Sequence, residues 1–226
     1  MTKETFKKLE NYMLECMKDS AHDKEHIYRV LYSALDIANK EENVDYDVLI
    51  SACLLHDIAR EDQNKNPSLC HAEVGAEKAY KYLTESGFDA IFAEKVRHCI
   101  SSHRFRKNNT PESTEAKILF DADKIDAAGT LGIARTLVYQ GAMTEPLYSV
   151  LPDGRVSDGT DDKTPSFFQE YKYKLEKIYS RFYTLRGKEI AEERRKTAVS
   201  FYNDMLREVS STYEKGIESL DKIIEY

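Results

Sequence analysis

Helical periodicity dominates the chain. Between residues 24 and 40, Ile27, Val30, Leu31, Ala34, Leu35 and Ala38 recur at three- and four-residue spacing, which puts them on one helix face. Residues 45–58 carry Val48, Leu49, Ala52, Cys53, Leu54 and Leu55, apolar nearly all round, and predict a central helix. Val74, Ala76, Ala79, Tyr80 and Leu83 predict a helix over 70–84, stopped at Ser86-Gly87. Ile91, Phe92, Val96 and Ile100 repeat the pattern over 88–103. A start signal at Ser113, in Ser-Thr-Glu-Ala after Pro111, opens the next helix through Ile118, Leu119 and Phe120. Another is predicted over 129–140, and two long ones over 166–186 and 188–214, with Phe201, Met205 and Val209 on the inner face of the second. The first twenty residues mix charged and apolar groups as an amphipathic helix does, not as a secretory signal does. The fold class expected is all-α, in a single domain over 1–226.

The pattern breaks once, over 141–166. Gly141, Gly154 and Gly159 fall there, as do Pro146, Pro152 and Pro165. Leu151-Pro152-Asp153-Gly154-Arg155 is a turn sequence: proline presets φ and glycine accepts the strained position. Two short extended arms around it predict a long loop or small hairpin inserted between the 20–130 region and the C-terminal helices of 167–226. A loop of this length in a compact domain is usually functional or disordered, and here it is expected to be a lid or rim.

Composition narrows the class. With 41% hydrophobic and 32% charged residues, the 226-residue chain has a globular balance and enough length for a core without staples. No apolar run approaches the ~18 residues of a membrane span. Cys16, Cys53, Cys70 and Cys99 have no paired spacing and read as reduced thiols of a cytoplasmic protein. A net charge of −7 argues against general nucleic-acid binding, so an anionic substrate needs a metal or placed Arg and Lys.

All six histidines, His22, His26, His56, His71, His98 and His103, fall in the first 103 residues. One alone is more often a hydrogen-bonded core histidine than a ligand. Their company changes that. His56-Asp57 closes the apolar run ACLLHD, where an imidazole and a carboxylate are costly unless something pairs with them. A divalent metal does, since both groups are good ligands for Zn-, Mn- or Fe-type ions. His26 begins a periodic helix face, and Asp123 lies in ILFDADKIDAAG.

Taken in order, HIYRV with His26, LLHDIA with His56 and Asp57, and DADKIDA with Asp123 resemble the HD superfamily of metal-dependent phosphohydrolases. The resemblance covers residues 20–130. It implies an HD-domain helical bundle with His26, His56, Asp57 and Asp123 as metal ligands. Asp123 is selected because the family's aspartate follows an Ala and precedes a second Asp by three; Asp121 is the alternative. DADKIDAAGTLGIARTLVYQG looks like bacterial HD-domain nucleotide pyrophosphohydrolases. HAEVGA and SSHRF resemble segments by which binuclear HD phosphodiesterases supply further His ligands, here His71 and His103, with His98 competing for the latter place. The nucleotide branch usually does without both. Arg60 stands where many HD enzymes place a phosphate-contacting Lys, and His22, one turn before His26, is a candidate to act on the leaving group. Lys124 and Arg135 are weaker phosphate candidates, and Tyr139 and Tyr148 weaker base-stacking ones.

The function implied is hydrolysis of a nucleotide or similar small phosphate compound by metal-activated water, with Asp57 as ligand and orienting group. The cofactor is one or two divalent ions of Mn, Fe, Zn, Mg or Ni. The alternatives are a binuclear phosphodiesterase and a sensor that binds metal or nucleotide without turnover. No membrane partner is expected, and a homodimer is left open. The chain has no Gly-rich phosphate loop, so P-loop chemistry does not apply.

Overall fold

Over residues 48–55, where the sequence is apolar nearly all round, the structure buries every residue but the half-buried Ile50. The computed structural model describes residues 1–17, 24–104 and 109–224. Its helices are α1 (Lys3–Cys16), α2 (Lys24–Ala38), α3 (Tyr46–Leu55), α4 (Arg60–Lys65), α5 (His71–Glu85), α6 (Ala90–Ser102), α7 (Thr114–Asp126), α8 (Gly129–Ala142), α9 (Phe167–Glu170) and α10 (Leu185–Ile223). No strand occurs among the described residues. The chain divides into two units: Met1–Asp126 with Phe182–Lys188, and Ala127–Arg181 with Glu189–Tyr226.

In the first unit α3 is the hub. It packs against α1, α2, α6 and α7, while α2 lies on α7 and α5 on α6. Val48, Leu49, Ala52, Cys53, Leu54 and Leu55 are all buried, and each large aliphatic so covered contributes about 1.5–3 kcal/mol. Side chains set the helix starts. Asp45 accepts from the Val48 amide (3.2 Å), Asp89 from those of Ile91 and Phe92, and Ser113 Oγ from Ala116 (3.1 Å). The stop predicted at Ser86-Gly87 is present: Gly87 has φ +85°, and the Phe88 amide donates back to the Leu83 carbonyl (3.0 Å).

Asp121 is buried and accepts from the backbone amides of Tyr183 and Thr184 and from Thr184 Oγ1 (2.7 Å). It therefore caps the start of α10, which begins before Gly187 and not after it. A Cβ at position 187 would come within 2.6 Å of both Asp121 Oδ2 and Thr184 Oγ1. This glycine, read from sequence as a gap between helices, is a close-packing position inside one.

The second unit is built around aromatic rings. Tyr171 stacks on Tyr202 at 4.1 Å between centroids, with Phe167 and Phe168 buried beside them. The single helix expected over 166–186 is here a turn of α-helix, a π turn over Tyr171–Leu175 and a 3₁₀ turn over Ile178–Ser180. The Glu176 amide donates five residues back, to the Tyr171 carbonyl (2.8 Å), the widened turn that accompanies Tyr171 in its stack. Within 141–166, Val150 and Val156 form one antiparallel bridge around a turn closed by Gly154 at φ +85°. Asp162 ties that segment together, accepting from Ser149, Ser157 (2.5 Å) and Ser166 (3.4 Å).

Candidate metal centre

Helix ends and two helix faces bring six potential ligands together. His56 caps the C-terminus of α3 and Asp57 follows it; His71 opens α5; His103 caps the C-terminus of α6. His26 projects from α2 and Asp123 from α7. They form two groups, His26, His56 and Asp123, and Asp57, His71 and His103, each with ligand atoms within 4.8 Å of one another. Asp57 also faces both groups. Its Oδ2 is 3.7 Å from His26 Nε2 and 3.9 Å from His56 Nε2, and its Oδ1 is 3.5 Å from His71 Nε2 and 3.8 Å from His103 Nε2.

The far side of each imidazole fixes what the near side can do. His26 Nδ1 donates to Asp126 Oδ2 (2.7 Å), His56 Nδ1 to the Cys53 carbonyl (2.8 Å) and His103 Nδ1 to the Ile100 carbonyl (2.6 Å). His71 Nδ1 donates to Gln63 Oε1 (2.6 Å), whose amide is oriented by its own donation to the Leu69 carbonyl (2.9 Å). His71 Nδ1 also lies 3.2 Å from Arg60 Nη1. On His26, His56 and His103 a protonated Nδ1 leaves the Nε2 lone pair of the neutral ring facing inward. Two of these Nε2 atoms, on His26 and His56, stand 3.3 Å apart. Facing lone pairs repel, and a shared cation relieves them: ligands about 2.1 Å from one ion lie about 3.0–3.4 Å from each other. The donor set of imidazoles and carboxylates therefore fits a divalent metal.

Electrostatics agree. Burial pushes His71 down to about 3 and His103 down to about 4, and it lowers His56 too, so these rings are neutral near pH 7. Burial alone would raise the Asp57 carboxyl, but His56, Arg60, His103 and His26 outweigh it and hold the group below the usual range. Asp123 is lowered in the same way, against burial, by Lys124, His103, His26 and His56.

Other sequence-predicted residues are placed as follows. Arg60 lies on Asp57, with Nη2 2.9 Å from Oδ1 and 3.0 Å from Oδ2. Lys124 donates to Asp123 (2.7 Å) and to the His103 carbonyl (3.4 Å). His98 belongs to neither group, and His22 lies outside the described residues. Asp121 is committed to its cap. Three residues that sequence reasoning passed over support the cluster: Asp126, Arg29 and Gln63. Asp126 was legible as the last aspartate of DADKIDA, one turn past Asp123; Gln63 and Arg29 carried no comparable signal.

The helical fold and this cluster define a class: the chain belongs to the HD superfamily. The HD domain family profile matches residues 24–128. A solved structure of a predicted HD superfamily hydrolase from an uncultured Thermotogales bacterium is 32% identical, with 89% of this chain and 91% of that one covered and a TM-score of 0.61. YpgQ of Bacillus subtilis is 29% identical over 196 residues, 85% of this chain and 86% of YpgQ. The structure of YpgQ in complex with ADP aligns with a TM-score of 0.70 at 25% identity, over 91% of this chain and 95% of that one. Among the described residues, no helix is long and apolar enough to cross a membrane.

Proposed function

We propose that this protein is a metal-dependent phosphohydrolase acting on a nucleotide or a similar small phosphate compound. The observation that carries the reading is the convergence of four imidazole Nε2 atoms on the two oxygens of Asp57. His26, His56 and Asp123 would hold one ion, His71 and His103 a second, and Asp57 would bridge. A divalent ion at such a site lowers the pKa of a water ligand and polarises a phosphoryl oxygen. The chain's own residues do the rest. Asp126 orients His26, Gln63 orients His71, and burial keeps His56, His71 and His103 neutral and available as ligands near pH 7. The complex of YpgQ with ADP supports a nucleotide as the substrate class.

The presence of two ligand groups favours a second reading, a phosphodiesterase, because both ions of a two-metal site can share one bridging phosphate. One experiment separates the readings. Protein purified without chelator is assayed for metal content, then tested with Mn against nucleoside mono-, di- and triphosphates and against phosphodiesters. Preferred release of phosphate or pyrophosphate from nucleotides supports the first reading, and preferred cleavage of diesters the second. Bound metal with no turnover across the panel would leave a sensor.

A further inference from the structure

Each part of the cluster has a cation beside it in the chain, and most are already engaged. Arg29, one turn after His26, grips Asp126 through Nε (2.7 Å) and Nη2 (3.3 Å). Arg60 donates to both oxygens of Asp57, and its Nη1 lies 3.2 Å from His71 Nδ1. Lys124 is held by Asp123 and lies over the Phe120 ring. Each of these cations already has a carboxylate partner.

Arg104 differs. It follows His103 directly, and its Nη1 is buried without a hydrogen-bond partner. A buried guanidinium N–H without an acceptor is costly, and such groups in native structures call for an explanation. Its charge bears on His71 and on Cys70, the residue before α5. The guanidinium therefore belongs to the side of the cluster formed by His71, His103 and Asp57. It is a fork of donors suited to an oxyanion.

We propose that Arg104 is the phosphate-contacting side chain of this site, donating from Nη1 to a substrate phosphate oxygen, the place that the sequence pattern gives to Arg60. The inference rests on the phosphohydrolase reading for its substrate and adds the group that recognises it. Arg60 then has a different task, offsetting the charge of Asp57.

The test compares Mn-loaded wild type, Arg104→Gln and Arg104→Lys by calorimetric titration with inorganic phosphate and with ADP, alongside Mn stoichiometry and melting curves. The expected result is unchanged Mn binding in both variants. Affinity for ADP should fall about 10–100-fold in Arg104→Gln, the loss typical of a charge-assisted hydrogen bond, and recover in part in Arg104→Lys. With any substrate turned over, KM should rise more than kcat falls. Undiminished ADP and phosphate binding in Arg104→Gln would overturn the proposal, as would absence of such binding in wild type. Loss of Mn together with anion binding would also overturn it, because Arg104 would then be supporting the ligands. If Arg104→Gln does not fold, Arg104→Lys alone decides, since lysine keeps the charge and loses the fork. Weakened anion binding in Arg104→Gln, in a protein that hydrolyses nothing on the panel, would uphold the contact while the phosphohydrolase reading failed.

Discussion

The two ligand groups have the same composition, two imidazoles and one carboxylate, and they are not equivalent. Asp123, in the first, keeps 17% of its side chain exposed; Asp57, in the second, keeps 3%. In the first group the Nε2 atoms of His26 and His56 stand 3.3 Å apart. In the second, a guanidinium already lies against the carboxylate. The first therefore has more to gain from an ion and a route to solvent for a water ligand or substrate. The second is drier and already compensated in part. The comparison indicates that cluster membership alone does not rank metal sites; residual repulsion and access do.

Removing Asp57, the residue that faces both groups, should have the largest effect. Asp57→Ala is expected to lose metal and hydrolysis together, by more than the roughly 10–100-fold that an outer partner of a metal ligand is worth. Full metal occupancy in that variant, by elemental analysis, would take Asp57 out of the ligand set. The next largest effect separates the groups. Titration of metal-free wild type with Mn should reach about two equivalents. His71→Ala should keep the tighter one, whereas His56→Ala should lose it. Equal losses in the two variants would erase the proposed ranking.

Acid should act on metal-free protein through the buried rings. His71 and His103 are held near 3 and 4, below the ~6.5 of a free imidazole, so between these values the unfolded chain binds more protons than the folded one. Stability should be full above about pH 6.5 and fall as the pH drops towards 4. The urea midpoint measured from pH 7 to 5 tests this, and a flat profile would contradict it. The smallest effect is expected at Asp126→Asn, which keeps an acceptor for His26 Nδ1 and loses the charge shared with Arg29. Mn affinity there should fall about tenfold, and an unchanged value would limit Asp126 to a structural part.

Much of this was legible in the chain. Periodicity located α2, α3, α5, α6 and α8 to within three residues at each end, and the start of α7 to within one, because each has a buried face whose spacing survives in sequence. It failed over 166–186, where ring stacking and not an apolar stripe decides the backbone, and at Gly187, whose reason is a neighbour far away in sequence. It also gave no sign of α4, a six-residue helix without a buried residue. The six proposed ligands were nameable because imidazoles and carboxylates in apolar runs are conspicuous. Their division into two groups was not. That depends on which way each ring turns, and the partners that turn them include a glutamine and two backbone carbonyls that no motif marks.

The cap on α10 has a consequence in time. Asp121 is made 63 residues before Thr184, whose amide and hydroxyl it needs. At synthesis rates of about 5–20 residues per second, that is a wait of roughly 3–13 s. Throughout it, a carboxylate buried in the folded protein is without these partners, while residues 127–181 of the other unit are being added. The ligand-bearing half of the protein is begun first and finished only when the chain returns to it.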